Sequence, residues 1–146
     1  MQTQKAGIDY VGVGVGAIVV DDDGKVFLSK RGEQATNERG TWEFPGGKVH
    51  FGDTLQETLK REFMEEYGMT LEIVALLSVD DHILEGEGQH WVSPTYIAHS
   101  VGAEPQILEP HKCSAIGWFD IDDLPQPLSL ITQYNVRDYI KTLRDT

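Results

Sequence analysis

Acidic residues are concentrated in a short stretch near the middle of the chain. Glu62, Glu65 and Glu66 lie within five positions of one another, and Asp53 and Glu57 precede them. On an α-helix, side chains three and four positions apart lie on the same face, so the three glutamates would project from one side. Like charges placed this close destabilise one another unless a cation lies among them. The pattern indicates either a solvated acidic surface or a site for a hard divalent cation, which prefers oxygen ligands.

The residues before this predicted helix favour the metal site. Pro45, Gly46 and Gly47 form a strong turn signal, and small residues there leave a backbone carbonyl free to join a metal ion. Arg61 is placed four positions from both Glu57 and Glu65, and we expect it to pair with them. A single arginine cannot neutralise four or five carboxylates, so a divalent ion accounts better for the cluster.

Residues 47–69 resemble the Nudix box, Gly-x5-Glu-x7-Arg-Glu-apolar-x-Glu-Glu-x-Gly-apolar. The matching positions are Gly47, Asp53, Arg61, Glu62, Phe63, Glu65, Glu66, Gly68 and Met69. Only Asp53 departs from the motif, because it is one methylene shorter than the usual glutamate. So many fixed positions at fixed spacing make this motif far more specific than a lone glycine pattern. The resemblance implies a single Nudix hydrolase domain over residues 1–146, folded as an α/β/α sandwich with a mixed β-sheet.

The same resemblance assigns roles to individual residues. The implied metal ligands for Mg²⁺, with Mn²⁺ as a substitute, are Glu62, Glu65, Glu66 and the carbonyl of Gly46. Arg61 and Asp53 would hold the geometry between the loop and the helix. Water would attack a phosphorus of a diphosphate bridge. The general base would be Glu62, Glu65 or a loop carboxylate, for which the candidates are Glu85, Glu87 and Glu109.

The substrate is predicted from features outside the box. Residues 11–15 alternate Val and Gly, and residues 109–113 read Glu-Pro-His-Lys-Cys, as in MutT-like nucleoside triphosphate pyrophosphatases. We therefore expect hydrolysis of (deoxy)nucleoside triphosphates to monophosphates and pyrophosphate. The alternatives are an ADP-ribose or nucleotide-sugar pyrophosphatase, and a catalytically silent Nudix domain that senses a nucleotide.

Several polar and aromatic residues are candidates for contacts with a nucleotide. Arg31 would contact a phosphate, and Asn135 would read the edge of a base. Aromatic rings that would stack on the base belong to Phe44, Trp118 and Tyr134. A place in the core or on the surface is the more common role for each of these residue types. The five histidines show no metal-ligand spacing, so we assign them structural roles.

Hydrophobic periodicity and turn residues predict the elements that position these residues. Asp53 is the predicted N-cap of the box helix, with Gln56 as its capping-box partner, and Gly68 is the predicted end. A second helix is predicted over residues 128–143. The predicted strands cover residues 11–20, 25–30, 42–44, 71–79, 89–99 and 115–119. An acidic loop over residues 80–88 would join the fourth and fifth of these strands.

Composition limits the partners that the chain can have. Acidic residues outnumber basic residues 24 to 12, for a net charge of −12. Because nucleic acids are bound mainly by Lys and Arg, we expect no nucleic-acid partner. A small anionic nucleotide remains compatible, since a divalent ion can supply the positive charge.

The single cysteine, Cys113, excludes an intrachain disulfide and fits a reducing compartment. Neither a membrane span nor a signal peptide is evident, so we expect a cytoplasmic protein with no membrane partner. Related proteins often pair, and the resemblance therefore also implies a homodimer through the strands over residues 71–79 and 89–99.

Overall fold

The computed structural model describes residues 3–145. In this part of the chain, one mixed β-sheet lies between two helices, which confirms the predicted α/β/α arrangement. The strands are β1 (Gly12–Val20), β2 (Val26–Arg31), β3 (Trp42–Glu43), β4 (Gly46–Lys48), β5 (Thr70–Leu84), β6 (Gln89–Val101) and β7 (Cys113–Phe119). The helices are α1 (Leu55–Tyr67) and α2 (Leu130–Arg144).

β1 is the strand around which the sheet is organised. The main strand order is β3-β2-β1-β6-β5, while β4 pairs with β1 and β7 pairs with β2. β1 and β6 are parallel, and the other strand pairs are antiparallel. β1 and β2 form the predicted hairpin, paired at Val20 and Val26.

The alternation of side chains along β1 divides the core into two layers. Val15, Ala17 and Val19 are buried in the cluster that includes α1. Ile18 faces the opposite way, into the cluster that includes Tyr139 of α2. The sheet is therefore covered by a helix on each face, and the cavity described below lies on the α2 face.

The start of α1 differs from the prediction. Its N-cap is Thr54, whose hydroxyl accepts a hydrogen bond from the Glu57 N–H at 3.1 Å. Glu57 in turn accepts from the Thr54 N–H at 3.1 Å, so Thr54 and Glu57 form the capping box in place of Asp53 and Gln56. The predicted end is confirmed, since Gly68 has φ of +67°, which glycine adopts without steric cost.

Two further predictions are wrong in detail. Residues 45–47 are not only a turn, because Gly46 and Gly47 begin β4 and pair with β1. The loop predicted over residues 80–88 is much shorter, since β5 continues to Leu84. His82 and Leu84 are buried while their neighbours are exposed, so this acidic segment keeps strand alternation along β6.

Phe63 should be one of the largest single contributors to stability. Its ring is fully buried on α1 and lies 5.7 Å from the Tyr67 ring. We expect Phe63→Ala to lower the free energy of unfolding by roughly 3–5 kcal/mol, because it leaves a cavity in the α1 layer. The neighbouring Met64 is exposed, so Met64→Ala should change it by less than about 0.5 kcal/mol. Equal losses in urea titrations of the two variants would contradict this packing.

Candidate active site

The box carboxylates are brought to the sheet by the step from β4 into α1. β4 lies so close to α1 that a Cβ atom on Gly47 would be 2.5 Å from Cγ of Glu62. A Cβ on Gly46 would overlap the carbonyl oxygen of Val15 in β1. Glycine at both positions therefore allows the box helix, β4 and β1 to approach one another.

Arg61 pairs with Asp53 rather than with the glutamates predicted from helical spacing. Its Nη1 lies 2.9 Å from Oδ2 of Asp53, and its Nη2 lies 4.0 Å from Oε1 of Glu62. Glu57 is held by the capping box, and Glu65 is exposed. The shorter side chain of Asp53 thus still reaches the arginine and ties the turn to the helix.

The box carboxylates lack sufficient positive charge around them. Burial, followed by repulsion from Glu62, raises the pKa of Glu66 to about 8. Burial also raises the pKa of Glu62, with a further contribution from Glu65. Lys112 opposes both shifts but does not cancel them. A bound divalent cation would remove this repulsion.

The donor set suits a hard divalent ion, although the ligands are not fully assembled. Among residues 3–145, no three His, Cys, Asp or Glu side chains are grouped closely enough to hold a metal ion alone. Mg²⁺ commonly uses one or two carboxylates and completes its shell with water and substrate phosphate. Three carboxylates of like charge, two of them with raised pKa values, therefore fit such an ion chemically.

A cavity of about 210 Å³ adjoins β4 on the α2 face of the sheet. Gly46, Gly47 and Lys48 form its wall nearest the box. Of the predicted nucleotide-binding residues, the structure places Arg31, Phe44 and Asn135 in the lining. Their side chains come from β2, from the segment between β3 and β4, and from α2.

The other two predicted aromatic contacts lie elsewhere. Trp118 packs on the α1 face, with its ring 5.3 Å from that of Phe27, because alternation along β7 directs it away from the cavity. Tyr134 lies against the Arg137 guanidinium on α2, 5.3 Å from it. Neither residue lines the cavity, so their positions do not support the expected stacking on a base.

Arg31 is held inside the cavity by an ion pair. Its Nη1 donates to both carboxylate oxygens of Glu43, at 3.0 and 3.1 Å, and its Nε donates to the carbonyl of Asn37 at 3.0 Å. Burial raises the pKa of Glu43, and Arg31 opposes the shift. Glu43 was not identified from the sequence as a cavity residue. An acidic residue between two aromatic residues of a predicted strand could have indicated it.

Two further lining residues, Glu38 and His82, were also missed. Glu38 Oε2 lies 3.3 Å from His82 Nε2, and Glu38 Oε1 accepts from the Leu130 N–H at 2.8 Å. Burial acts to raise the pKa of Glu38, but the contact with His82, the hydrogen bond from the Leu130 N–H and the positive charge of Arg31 together outweigh burial and lower the pKa. His82 contacts Glu38 in the cavity wall, which is compatible with the structural role predicted for the histidines. No local pattern marks this pair, because they are 44 positions apart.

The three candidate loop acids differ in their distance from the box. Glu109 acts electrostatically on both Glu62 and Glu66, and its Oε1 lies 3.5 Å from Lys112 Nζ. Glu87 instead accepts from the Glu38 N–H at 3.3 and 3.4 Å. Glu85 lies exposed in the turn between β5 and β6. Glu109 is therefore the loop carboxylate nearest the box.

The NUDIX domain family matches residues 11–139, which include β4, α1 and the cavity. The chain belongs to the Nudix family. It is similar to the crystal structure of a MutT Nudix hydrolase from Burkholderia pseudomallei, with a TM-score of 0.81 and 44% identity over 87% of this chain and 96% of that one.

Two curated relatives of this chain are named for activities on different substrates. The 8-oxo-dGDP phosphatase NUDT18 of Mus musculus is 32% identical over 70% of this chain and 33% of its own length. The ADP-ribose pyrophosphatase of Methanocaldococcus jannaschii is 28% identical over 84% of this chain and 70% of its own. The chain spans about a third of the length of the first curated relatives it matches.

Neither helix of this Nudix domain, within residues 3–145, has the length and apolarity needed to cross a membrane.

The two glycines of β4 should respond differently to substitution. In Gly47→Ala the new methyl meets only the flexible Glu62 side chain, so the variant should fold but bind Mn²⁺ at least about tenfold more weakly. In Gly46→Ala the methyl meets β1 backbone, so the melting temperature should fall. Thermal unfolding and Mn²⁺ titration by electron paramagnetic resonance would check both. Unchanged Mn²⁺ affinity in Gly47→Ala would show that Glu62 is not a ligand.

Glu66 should destabilise the metal-free protein as the pH rises. Its pKa increases on folding from 4.5 to about 8, so the ionised form is disfavoured in the folded state. Relative to Glu66→Gln, the wild type should lose stability between pH 4.5 and about 8, and the difference should level off above that range. Adding Mg²⁺ at the upper end should stabilise the wild type more than the variant. Parallel pH profiles of the two melting temperatures would contradict this assignment.

Proposed function

We propose that the chain hydrolyses a pyrophosphate bond in nucleoside diphosphate derivatives with Mg²⁺, and that its substrates are (deoxy)nucleoside triphosphates. The observation that carries this proposal is that the cavity and the box carboxylates meet at β4. Gly46, Gly47 and Lys48 line the cavity, while Gly47 lies against Glu62. A nucleoside held in the cavity can therefore extend its phosphates past β4 to the carboxylates.

The cavity has two chemically distinct ends. Its α2 end carries Asn135 and Ile131, together with Glu38, which is bonded to the first helical N–H of α2. Its β4 end carries glycine backbone and the exposed cation Lys48. Polar side chains suit a base, whereas open backbone and a lysine suit phosphate. We assign the base to the α2 end and the phosphates to the β4 end.

The residues that would hold Mg²⁺, or Mn²⁺ in its place, are Glu62, Glu65, Glu66 and the Gly46 carbonyl. When bound, such an ion offsets phosphate charge and acidifies the attacking water. Arg61 and Asp53 keep the turn and helix in place. Water attacks phosphorus, and the bond from that phosphorus to the bridging oxygen breaks. Glu62 or Glu65 accepts the proton of the water, with Glu109 as the loop alternative.

The size of the cavity supports one nucleoside as its occupant. At about 210 Å³ it is smaller than the roughly 300–1,000 Å³ typical of pockets for drug-sized ligands. A single base and sugar with phosphates leading to the box fit this space. A second nucleoside or sugar, as in ADP-ribose, would have to lie outside it. We therefore favour triphosphates, with nucleotide sugars as the rival class.

The expectations about nucleic acid, oligomeric state and cellular location remain predictions. The net charge of −12 supports the absence of a nucleic-acid partner. The edge strand β5 exposes Val74, Leu76 and Val79, which supports its use in a homodimer. A cytoplasmic location rests on the lone reduced Cys113.

A substrate panel with Mg²⁺ tests the proposed reaction. It compares canonical and oxidised deoxynucleoside triphosphates, 8-oxo-dGDP, ADP-ribose and UDP-glucose, and it measures released monophosphate and pyrophosphate. We expect triphosphates to be turned over most efficiently. Glu65→Gln should lower kcat by about 100-fold or more, because it removes a ligand or base. Glu72→Gln removes the charge of another exposed glutamate, on β5, and should leave kcat unchanged.

The outcomes of this panel separate the three hypotheses. Preference for ADP-ribose would retain the enzyme class and overturn the choice of substrate. If the wild type and Glu65→Gln both bind nucleotides and neither hydrolyses them, the result would favour a catalytically silent sensor. Equal activity of wild type and Glu65→Gln would remove that glutamate from the reaction.

A further inference from the structure

We propose that the cavity selects nucleotides whose base carries an exocyclic amino group, and that Glu38 is the residue that selects them. The inference rests on the proposed function, because it assumes that a nucleoside occupies the cavity. Cytosine, adenine and guanine would be accepted, whereas uracil, thymine and hypoxanthine would be disfavoured.

Glu38 is positioned by contacts from three separate parts of the fold. Its carboxylate meets His82 of β5 at 3.3 Å and the Leu130 N–H of α2 at 2.8 Å. Its own N–H donates to Glu87, in the turn between β5 and β6. Its φ of +44° is unusual for a residue other than glycine, and such conformations persist only where the surroundings enforce them. The carboxylate therefore occupies a fixed position in the cavity wall.

The loop that carries Glu38 is held by further side-chain bonds. Asn37 Nδ2 donates to Oε1 of Gln89 at 2.8 Å, and Gln89 Nε2 donates to the Thr36 carbonyl at 3.1 Å. The indole N–H of Trp91 also donates to Gln89 Oε1, at 2.9 Å. These bonds tie the loop between β2 and β3 to the start of β6. The loop is thus a preorganised wall of the cavity, and preorganised groups discriminate between ligands.

Glu38 can act only as a hydrogen-bond acceptor. Its side chain is 13% exposed, and it lines the cavity. An ionised carboxylate has about four lone-pair sites, of which the Leu130 N–H uses one, while His82 Nε2 lies 3.3 Å from the other oxygen. The remaining sites accept N–H groups and repel carbonyl oxygens. These open acceptor sites on the cavity wall favour a ligand that donates an N–H group to the carboxylate.

Asn135 supplies a complementary donor. Its Oδ1 accepts from the hydroxyl of Thr95 at 3.1 Å, which leaves its amide N–H groups as donors at the cavity surface. Glu38 would accept from the amino group of a base, and Asn135 would donate to the ring nitrogen or carbonyl oxygen next to that amino group. Uracil and thymine present a carbonyl oxygen where cytosine presents its amino group. At that position an oxygen would face the Glu38 carboxylate.

The test uses pairs of substrates that differ in the amino group. dCTP and dUTP differ at the 4-position, and dGTP and dITP differ only by the 2-amino group. We expect wild-type kcat/KM to be about tenfold or more higher for the amino member of each pair. In Glu38→Gln, whose amide also donates, both ratios should fall below about threefold. Glu33→Gln removes the same charge from an exposed position of the same loop and should retain the wild-type ratios.

A binding measurement separates this inference from the proposed reaction. Titration of dCMP and dUMP, and of dGMP and dIMP, can be followed by intrinsic tryptophan fluorescence, because Trp91 lines the cavity. Preferential binding of dCMP and dGMP that is lost in Glu38→Gln would support the inference even without turnover of triphosphates. Turnover of triphosphates with equal kcat/KM within each pair would overturn the inference and leave the proposed function intact. An unchanged melting temperature of Glu38→Gln would confirm that the lost base preference does not result from unfolding of the domain.

Discussion

The close contact of β4 with both β1 and α1 is the constraint on which the site depends. Two glycines make it possible, because a methyl group on Gly46 would overlap the β1 backbone and one on Gly47 would strike Glu62. This contact places the box helix on one face of the sheet and the cavity on the other, with β4 between them. Under the proposed function, a nucleotide would lie on one face while its phosphates reach carboxylates that belong to the other.

Electrostatic repulsion is the main cost of this arrangement. Glu62 and Glu66 are partly buried near one another, and the pKa of each is raised by burial. Lys112 and Arg61 compensate only in part, since Arg61 is already engaged with Asp53. Acids with perturbed pKa values beside a cavity are typical of functional sites. The stability of the fold elsewhere, in the two apolar layers on either face of the sheet, allows the protein to keep this unfavourable charge.

The cavity and the box depend on the fold in different ways. The box is local, since one turn and one helix bring its residues together. The cavity wall is assembled from distant segments: Glu38 precedes β3, His82 lies on β5, and Asn135 lies on α2. Polar contacts between side chains and backbone join these segments. They, rather than the packing of apolar residues, hold the Glu38 carboxylate in the cavity wall. The family motif is thus encoded in one segment, whereas the cavity wall is assembled from segments distributed over the whole sheet.

The sequence by itself determined the family, the helix ends within a few residues and the carboxylates of the box, because these follow from local spacing. It also indicated Arg31, Phe44 and Asn135, which do line the cavity. Only the tertiary structure decided that Trp118 and Tyr134 point elsewhere and that Arg61 pairs with Asp53. It also revealed Glu43, Glu38 and His82. The physical reason is that strand register and contacts between residues distant in the sequence, which no local pattern shows, fix where most of those side chains point.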